Sequence, residues 1–352
     1  MTSPSAEAEA LIERRGRAGF IVLNRPKALN ALTLTMVRLI AAALDEWERD
    51  GAIDRIVFLG AGERAFCAGG DIRRLYDLGR AGEHDAQLTF WREEYQIDRQ
   101  IKTYSKTIVA LVDGIVMGGG VGLAMHAAHM VAGERFVFAM PEVGIGFFPD
   151  VGTAWSLPRL PFHMGVYFAL TGLRADAGDA LALGLAEAFV PSASFPGLAQ
   201  ALEKESLKTA LARFATPPPR STLISEAEAI KGCFARPDRT AILDALRAAE
   251  TQGLAFAAPA RAAMMEKSPT SQTIALRQMA LGATVDFDEA LRMDYRIVSR
   301  ICRGHDFYEG VRAVIVDKDN RPRWSPPPSQ TEVDAYFAPL GDGELKFPAR
   351  DE

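Results

Sequence analysis

From Ala10 to Pro26 the stretch ALIERRGRAGFIVLNRP reads as two short strands around a glycine-containing turn. TLTMVRLIAAALDEWERD (residues 33–50) then places Val37, Ile40, Leu44 and Trp47 near helical spacing, so an amphipathic helix follows. IDRIVFLG (53–60) is a continuous apolar run of strand length. FCAGGDIRRLYDL (66–78) reads as a glycine turn leading into a helix, and residues 83–105 as a long helix charged on one side. TIVALVDGIVMGGG (107–120) reads as strand, turn and apolar stretch. VGLAMHAAHM (121–130) then predicts a helix opening directly after the glycines, and RFVFAMPE (135–142) a strand that stops at Pro141. Strands and helices alternate throughout, which predicts an α/β protein with parallel crossovers.

The pattern changes after Val190. Residues 191–305 read as helical almost throughout, with a stiff break at ATPPPRS (215–221). Asp286 and Glu289 form a capping-box pair, and Leu291, Tyr295, Val298 and Cys302 continue the apolar face of the helix they open. Asp306 and Glu309 predict a second box, with Phe307, Val311 and Val314 along one side before RPRWSPPP ends the element. The expected organisation is an α/β core over 1–190 that carries the site, and a helical region over 191–352 that packs on it.

The chain has 352 residues, 48% hydrophobic and 24% charged, with a net charge of -5, so no electrostatic nucleic-acid partner is expected. The cysteines, Cys67, Cys233 and Cys302, are odd in number and far apart, which reads as a reducing compartment. No apolar run reaches spanning length, and the N-terminal stretch MTSPSAEAEALIERR has neither the apolar core of a secretory signal nor the look of a transit peptide. A cytoplasmic protein with no membrane partner is the expectation.

Three glycines in a row, Gly118 to Gly120, and a fourth at 122 demand an explanation. No Gly-Lys-Ser/Thr occurs for a phosphate loop, and Leu123 stands where a dinucleotide fingerprint needs its last glycine. One reading is close packing of a helix on a strand. The other is a helix N-terminus whose free N–H groups meet a carbonyl oxygen, half of an oxyanion hole. CAGGD (67–71) has the same form and could supply the other half, and this reading uses both clusters.

Glu142 and Asp150 are separated by only Val, Gly, Ile, Phe and Pro. Two carboxylates in so apolar a loop are suited to acid–base or nucleophilic work, the alternative being that either caps a helix. His126 and His129, three apart, lack co-ligands at zinc spacing and read as packing or surface residues, so no metal is expected. No G-x-S-x-G elbow is present, and Cys67 lacks a clear histidine partner.

AFCAGGDI (65–72), GIVMGGGVGLAMH (114–126) and FAMPEVGIGFFPDVG (138–152) resemble the crotonase superfamily, the enoyl-CoA hydratase/isomerase fold. LNRPKALNAL (23–32) resembles its CoA-side motif, and EEY (93–95), SPTS (268–271) and RGHDFYEGVRAVIVDKD (303–319) resemble its 3-hydroxyisobutyryl-CoA hydrolase branch. The resemblance implies a spiral of ββα units with a helical C-terminal region, acyl-CoA as substrate, and no cofactor beyond the CoA that the substrate carries. It implies oxyanion donors at the backbone N–H groups of Gly70 and Gly119, and CoA contacts around Arg25, Lys27, Ala28, Ala68, Asp71 and Ile72. Hydratases of the family carry a glutamate at the position of Gly122, so the paired-glutamate mechanism is poorly supplied. The hydrolase branch pairs Glu142 with Asp150, and a glutamate matching Glu94 contacts substrate. Hydrolysis of a short β-hydroxyacyl-CoA, foremost 3-hydroxyisobutyryl-CoA in valine breakdown, is therefore the leading expectation. A hydratase or isomerase on the same fold and a non-catalytic acyl-CoA-binding protein are the alternatives, and a homo-oligomer is possible on family grounds.

Overall fold

The computed structural model describes residues 8–348. Among the described residues nine strands form two sheets. The larger orders its six strands β1-β2-β3-β5-β7-β9 and the smaller its three β4-β6-β8. Strands β1 (Ala10–Arg15) and β2 (Ala18–Leu23) are antiparallel. Strand β2 pairs in parallel with β3 (Arg55–Gly60), which pairs with β5 (Thr107–Val112), then β7 (His129–Ala132) and β9 (Ala188–Phe189). The short strands β4 (Ala65–Cys67), β6 (Ile115–Met117) and β8 (Val137–Ala139) build the second sheet.

A repeat emerges from this order. Each of β3–β4, β5–β6 and β7–β8 sends its first strand to the large sheet and its second to the small one. Helix α2 (Ile72–Arg80) follows the first pair and α4 (Gly119–Met125) the second. Between α2 and β5 runs α3 (His84–Lys102). These are the successive ββα turns of the expected spiral. Because the large-sheet strands are mostly parallel, they read as unbroken apolar runs rather than as alternating patterns.

Helix α1 (Leu34–Arg49) behaves as its pattern predicts. Val37, Ile40, Leu44 and Trp47 are buried against β1 and β2, and Thr33 caps the N-terminus by accepting the Met36 N–H at 3.1 Å. The expected helix over 121–130 stops at Met125, and His129–Ala132 is strand β7 instead. His126 and His129 therefore do not share a helix face. His129 pairs with Glu187 at 2.7 Å, and among the described residues no group of His, Cys, Asp and Glu is arranged to hold a metal ion.

Chain contacts divide into two compact units that interleave along the sequence. One comprises residues 1–71, 97–138 and 175–224, the other 72–96, 139–174 and 225–352. In the first, Phe20, Val57, Val109, Leu111 and Val131 of the large sheet pack against Leu198, Leu202, Leu207 and Ala210. These last residues lie beyond residue 190, so the change of composition marks the end of the strands rather than an edge of either unit. In the second unit, the Phe287–Ile301 helix is capped by Asp286, which accepts the Glu289 N–H at 2.8 Å, and buries Leu291, Tyr295 and Val298. Only the Asp286 half of the first predicted capping box forms, since the Glu289 carboxylate goes to Arg296 at 2.7 Å, and the second predicted box does not form. Gly304 caps the His305–Val311 helix, while Asp306 is buried and accepts from Ser268 Oγ at 2.5 Å and Ser325 N at 2.8 Å. Val314 is exposed, because the chain winds into a π-helical turn over Arg312–Val316 and the apolar period is lost.

Candidate active site

The two glycine clusters lie side by side. In the parallel pair β4–β6 the chain emerges from Cys67 and from Met117 at the same edge. Gly69 has φ +110°, and a side chain there would meet Met117 O at 3.5 Å and the Gly119 nitrogen at 3.7 Å. Gly118 turns the chain with φ 49° and ψ -128°, a conformation that excludes side-chain-bearing residues, and Gly119 then opens α4. The N–H of Gly119, as the first helical residue, has no partner within its helix. Leu32 N donates to Gly69 O, and Asp71 N donates to Leu32 O, both at 2.8 Å. In such a parallel bridge the residue between the two bonded groups turns its own N–H away from the partner strand. Gly70 is that residue. Close packing thus accounts for Gly120, where a Cβ would come within 2.3 Å of Cys67 O, while Gly119 opens the helix with an N–H that no helical carbonyl takes. Cys67 is buried with Sγ on Gly69 O at 3.6 Å, which is a packing role.

The expected CoA-side residues gather beside the Ala68–Asp71 turn. Asn30, buried and with φ 56°, organises them: its side chain accepts Arg25 N at 2.9 Å and donates to Ala61 O and Ala65 O. Ala68 N donates to Leu29 O at 3.0 Å. Arg25 is already engaged, with Asp71 at 3.0 Å and Glu9 at 3.4 Å, while Lys27 and Ala28 are exposed. Ile72 is the first residue of α2.

The acids collect in the second unit. Glu142 starts a single 3₁₀ turn, Glu142–Ile145, and Asp150 follows in the same loop. Glu94 and Tyr95 come from α3. Glu94, Glu142 and Asp150 are 2%, 6% and 4% exposed, so three carboxyl groups share a site nearly shut from water. Tyr95 donates its hydroxyl to Asp150 Oδ2 at 2.8 Å. Glu94 Oε1 and Glu142 Oε2 are buried with no hydrogen-bond partner. Neither Glu142 nor Asp150 serves as a side-chain helix cap, so the capping alternative fails for both.

Burial pushes the Glu142 carboxyl well above its usual range, and the charge of Asp150 pushes it further. The same two causes raise Glu94. Asp150 is pushed up to about 7 by burial, against the Tyr95 hydrogen bond, which favours its ionised form. A raised carboxyl means that the folded protein keeps a proton which the unfolded chain releases. The stability this gives is full below about 3.8 and is lost as pH rises through about 7. Asp150→Asn removes the charge that has to be held without water. The variant is expected to melt higher than the wild type at pH 8, with the difference shrinking toward pH 5. Equal differences at both pH values would mean that Asp150 ionises like an exposed acid.

Two further residues brace this loop and were not picked out from sequence. Asp294 Oδ2 accepts the Gly152 N–H at 2.8 Å, and Gln278 Nε2 donates to Pro149 O and to Asp294 Oδ1, both at 2.7 Å. The signal was present. Asp294 falls between Leu291 and Val298 at helical spacing, a polar residue on a buried face. Trp91 closes the loop from α3, stacked on Phe147 with ring centroids 5.5 Å apart.

The chain matches the enoyl-CoA hydratase/isomerase family over residues 18–337. It is 42% identical to the mitochondrial 3-hydroxyisobutyryl-CoA hydrolase of Xenopus tropicalis over 356 residues, 97% of this chain and 91% of that protein. To the enzyme of that name from Rattus norvegicus it is 43% identical over 362 residues, 99% of this chain and 93% of the other. Among solved structures it resembles a carnitinyl-CoA dehydratase from Mycobacterium thermoresistibile, with TM-score 0.92, 36% identity and coverage of 98% and 100% of the two chains. An enoyl-CoA hydratase from Rhodobacter sphaeroides gives TM-score 0.90 and 40% identity over 97% of this chain and 100% of its own. The word mitochondrial in the relatives' names overturns the cytoplasmic expectation. That expectation rested on composition, which does not encode a compartment, and on an N-terminal stretch whose residues 1–7 lie outside the described residues. No described helix is long and apolar enough to cross a membrane. The two-sheet spiral is the crotonase fold, and the chain belongs to the enoyl-CoA hydratase/isomerase family.

Proposed function

We propose that this protein hydrolyses the thioester of a short β-hydroxyacyl-CoA, with 3-hydroxyisobutyryl-CoA as the preferred substrate. The observation that carries this reading is the buried Glu142, its Oε2 unpartnered, beside an Asp150 held by Tyr95, while the position of the second hydratase glutamate is a buried glycine, Gly122. The identity of 42–43% to hydrolases of that name over nearly the whole chain supports it.

In this reading the N–H groups of Gly70 and Gly119 stabilise the oxygen of the thioester as it gains charge. Glu142 supplies the attack. It either adds to the carbonyl carbon, giving an anhydride that water then opens, or takes a proton from the attacking water. In both routes the C–S bond breaks, the thiolate of CoA leaves and takes a proton, and the acyl group ends as a carboxylate. The water oxygen enters the product when water attacks the acyl carbon, and enters Glu142 when water opens the anhydride at the Glu142 carbon. Single-turnover hydrolysis in ¹⁸O-water separates them, because only the anhydride route can leave label in Glu142. Glu94 contacts the acyl group, and Asp150 presents to the β-hydroxyl the oxygen that Tyr95 leaves open. CoA lies along the Arg25–Ala28 and Ala68–Ile72 segments. With Arg25 held by Asp71 and Glu9, the exposed Lys27 is the cation offered to CoA there. No added metal or nucleotide is needed, so chelation should leave turnover unchanged.

Free CoA release across a panel of acyl-CoAs is the deciding assay. 3-Hydroxyisobutyryl-CoA and 3-hydroxypropionyl-CoA should be cleaved faster than crotonyl-CoA is hydrated. The reverse order would establish the second reading, a hydratase, which the similarity to a solved dehydratase and a solved hydratase favours. Turnover of neither would leave a binding protein.

Asp150→Asn should lower kcat by about 10- to 100-fold on a β-hydroxyacyl-CoA, the size of one hydrogen bond to a charged group. On an acyl-CoA without the hydroxyl the loss should shrink, because there is no contact to remove. A loss of equal size on both substrates would assign Asp150 to Glu142 or to the water instead.

Because Glu142 acts ionised and burial raises its carboxyl well above the usual range, kcat/KM should still be rising with pH beyond the ordinary carboxylate range. A profile flat from pH 5 to 9 would show that no raised carboxyl limits the reaction.

A further inference from the structure

The loop that carries Asp150 does not hold its shape by itself. Val151 has φ +53°, a left-handed conformation that a β-branched residue adopts only when its surroundings impose it, and Gly152 follows with φ +74°. The constraint comes from two side chains far along the sequence. Gln278, on the Pro269–Gly282 helix, holds the carbonyl of Pro149, and Asp294, on the Phe287–Ile301 helix, holds the N–H of Gly152. The two are bonded to each other, and both are fully buried. Between the two anchored groups lie Asp150 and Val151. Thr153 fastens the turn again, donating its N–H at 3.0 Å and its Oγ1 at 2.7 Å to Asp150 O. With the backbone pinned on both sides, the Asp150 carboxyl has one place to go, toward the Tyr95 hydroxyl.

We infer that Asp294 and Gln278 are positioning residues for the reaction, a clamp that fixes residues 149–152 so that Asp150 faces Tyr95 and the substrate. This rests on the hydrolase reading only for its kinetic consequence. The clamp itself is a statement about the loop. Neither residue touches substrate in this account. The donor and acceptor pattern makes the pair exacting. Asp294 accepts on both oxygens, from Gly152 and from Gln278, and Gln278 spends both amide hydrogens, on Pro149 and on Asp294. Asp294→Asn therefore keeps the shape but brings an amide donor into a place that needs an acceptor. Either the Gly152 bond is lost, or Gln278 must turn and release Pro149.

Two measurements test this. The first needs no turnover. Amide hydrogen exchange of the segment around Gly152 should be at least about tenfold faster in Asp294→Asn and in Gln278→Leu than in the wild type, with the helices elsewhere unchanged. The second is kinetic. Asp294→Asn should lower kcat by about tenfold or more with KM within a few-fold, and the loss should fall below about twofold when it is made in an Asp150→Asn background. A residue that merely supports the fold would multiply its loss in both backgrounds. Unchanged exchange at 149–153 overturns the clamp, and so does a full, independent loss in the Asp150→Asn background. Where Asp294→Asn fails to fold, Gln278→Leu carries both measurements. A wild-type protein that cleaves no acyl-CoA would count against the hydrolase reading, while the exchange result would still decide the clamp.

Discussion

Glu142→Gln is expected to abolish thioester cleavage, by about a thousandfold or more, the upper range for removal of a positioned base or nucleophile. The amide matches the carboxyl in size, so the 3₁₀ turn that begins at residue 142, and the return bond from Phe147 N to Glu142 O at 3.0 Å, are kept. What goes is the oxygen that can attack or accept a proton. Glu142 Oε2 has no hydrogen-bond partner to satisfy, so the change leaves no protein donor stranded. Acyl-CoA affinity should stay within a few-fold, measured calorimetrically with the variant itself, which no longer consumes its ligand. The variant should also melt higher than the wild type once the pH exceeds the ordinary carboxylate range, since a carboxyl whose ionised form burial disfavours has been replaced by a neutral group. Retention of a tenth of the wild-type kcat would mean that another group performs the attack, and Glu94, equally buried, would be the next to test.

Gly119→Val is expected to lower kcat by about a hundredfold or more, the usual cost of losing one oxyanion donor. Gly119 opens α4, is buried, and follows a residue whose φ and ψ only glycine tolerates. A branched side chain at this position stands beside the N–H that the proposed mechanism assigns to the thioester oxygen. Since the substitution acts on the transition state more than on CoA, KM should move less than kcat. Circular dichroism would establish that the variant is folded. Near-normal turnover in a folded Gly119→Val protein would place the oxyanion donors elsewhere and leave the glycine run to packing alone, as already holds at Gly120 against Cys67.

The legible parts of this protein were those governed by local periodicity. The central strands β3 and β5 of the large sheet are largely buried and read as apolar runs, and α1 buries the face that its spacing marks. Misreadings arose where an apolar run fits either period. VGLAMHAAHM divides into a seven-residue helix and a strand, because β5 offers His129–Ala132 a parallel partner that no local pattern announces. Asp306 resembles a cap in sequence, yet its carboxyl is taken by Ser268 and Ser325.

The sequence by itself determined the chemistry on offer: two glycine turns ahead of helices, two carboxylates in an apolar loop, and a glycine where a second hydratase glutamate would stand. Residue types and short spacings carry that information, since they set which side chains exist and what backbone each can adopt. Only the tertiary structure decided how the acids are held. Tyr95 reaches Asp150 from 55 positions away, and Asp294 reaches Gly152 from 142 positions away. Such partners are chosen by how helices pack, and packing depends on the whole buried surface rather than on any local pattern. The raised carboxyls follow from the same cause, because burial is a property of the assembled fold and not of the loop that bears the acids.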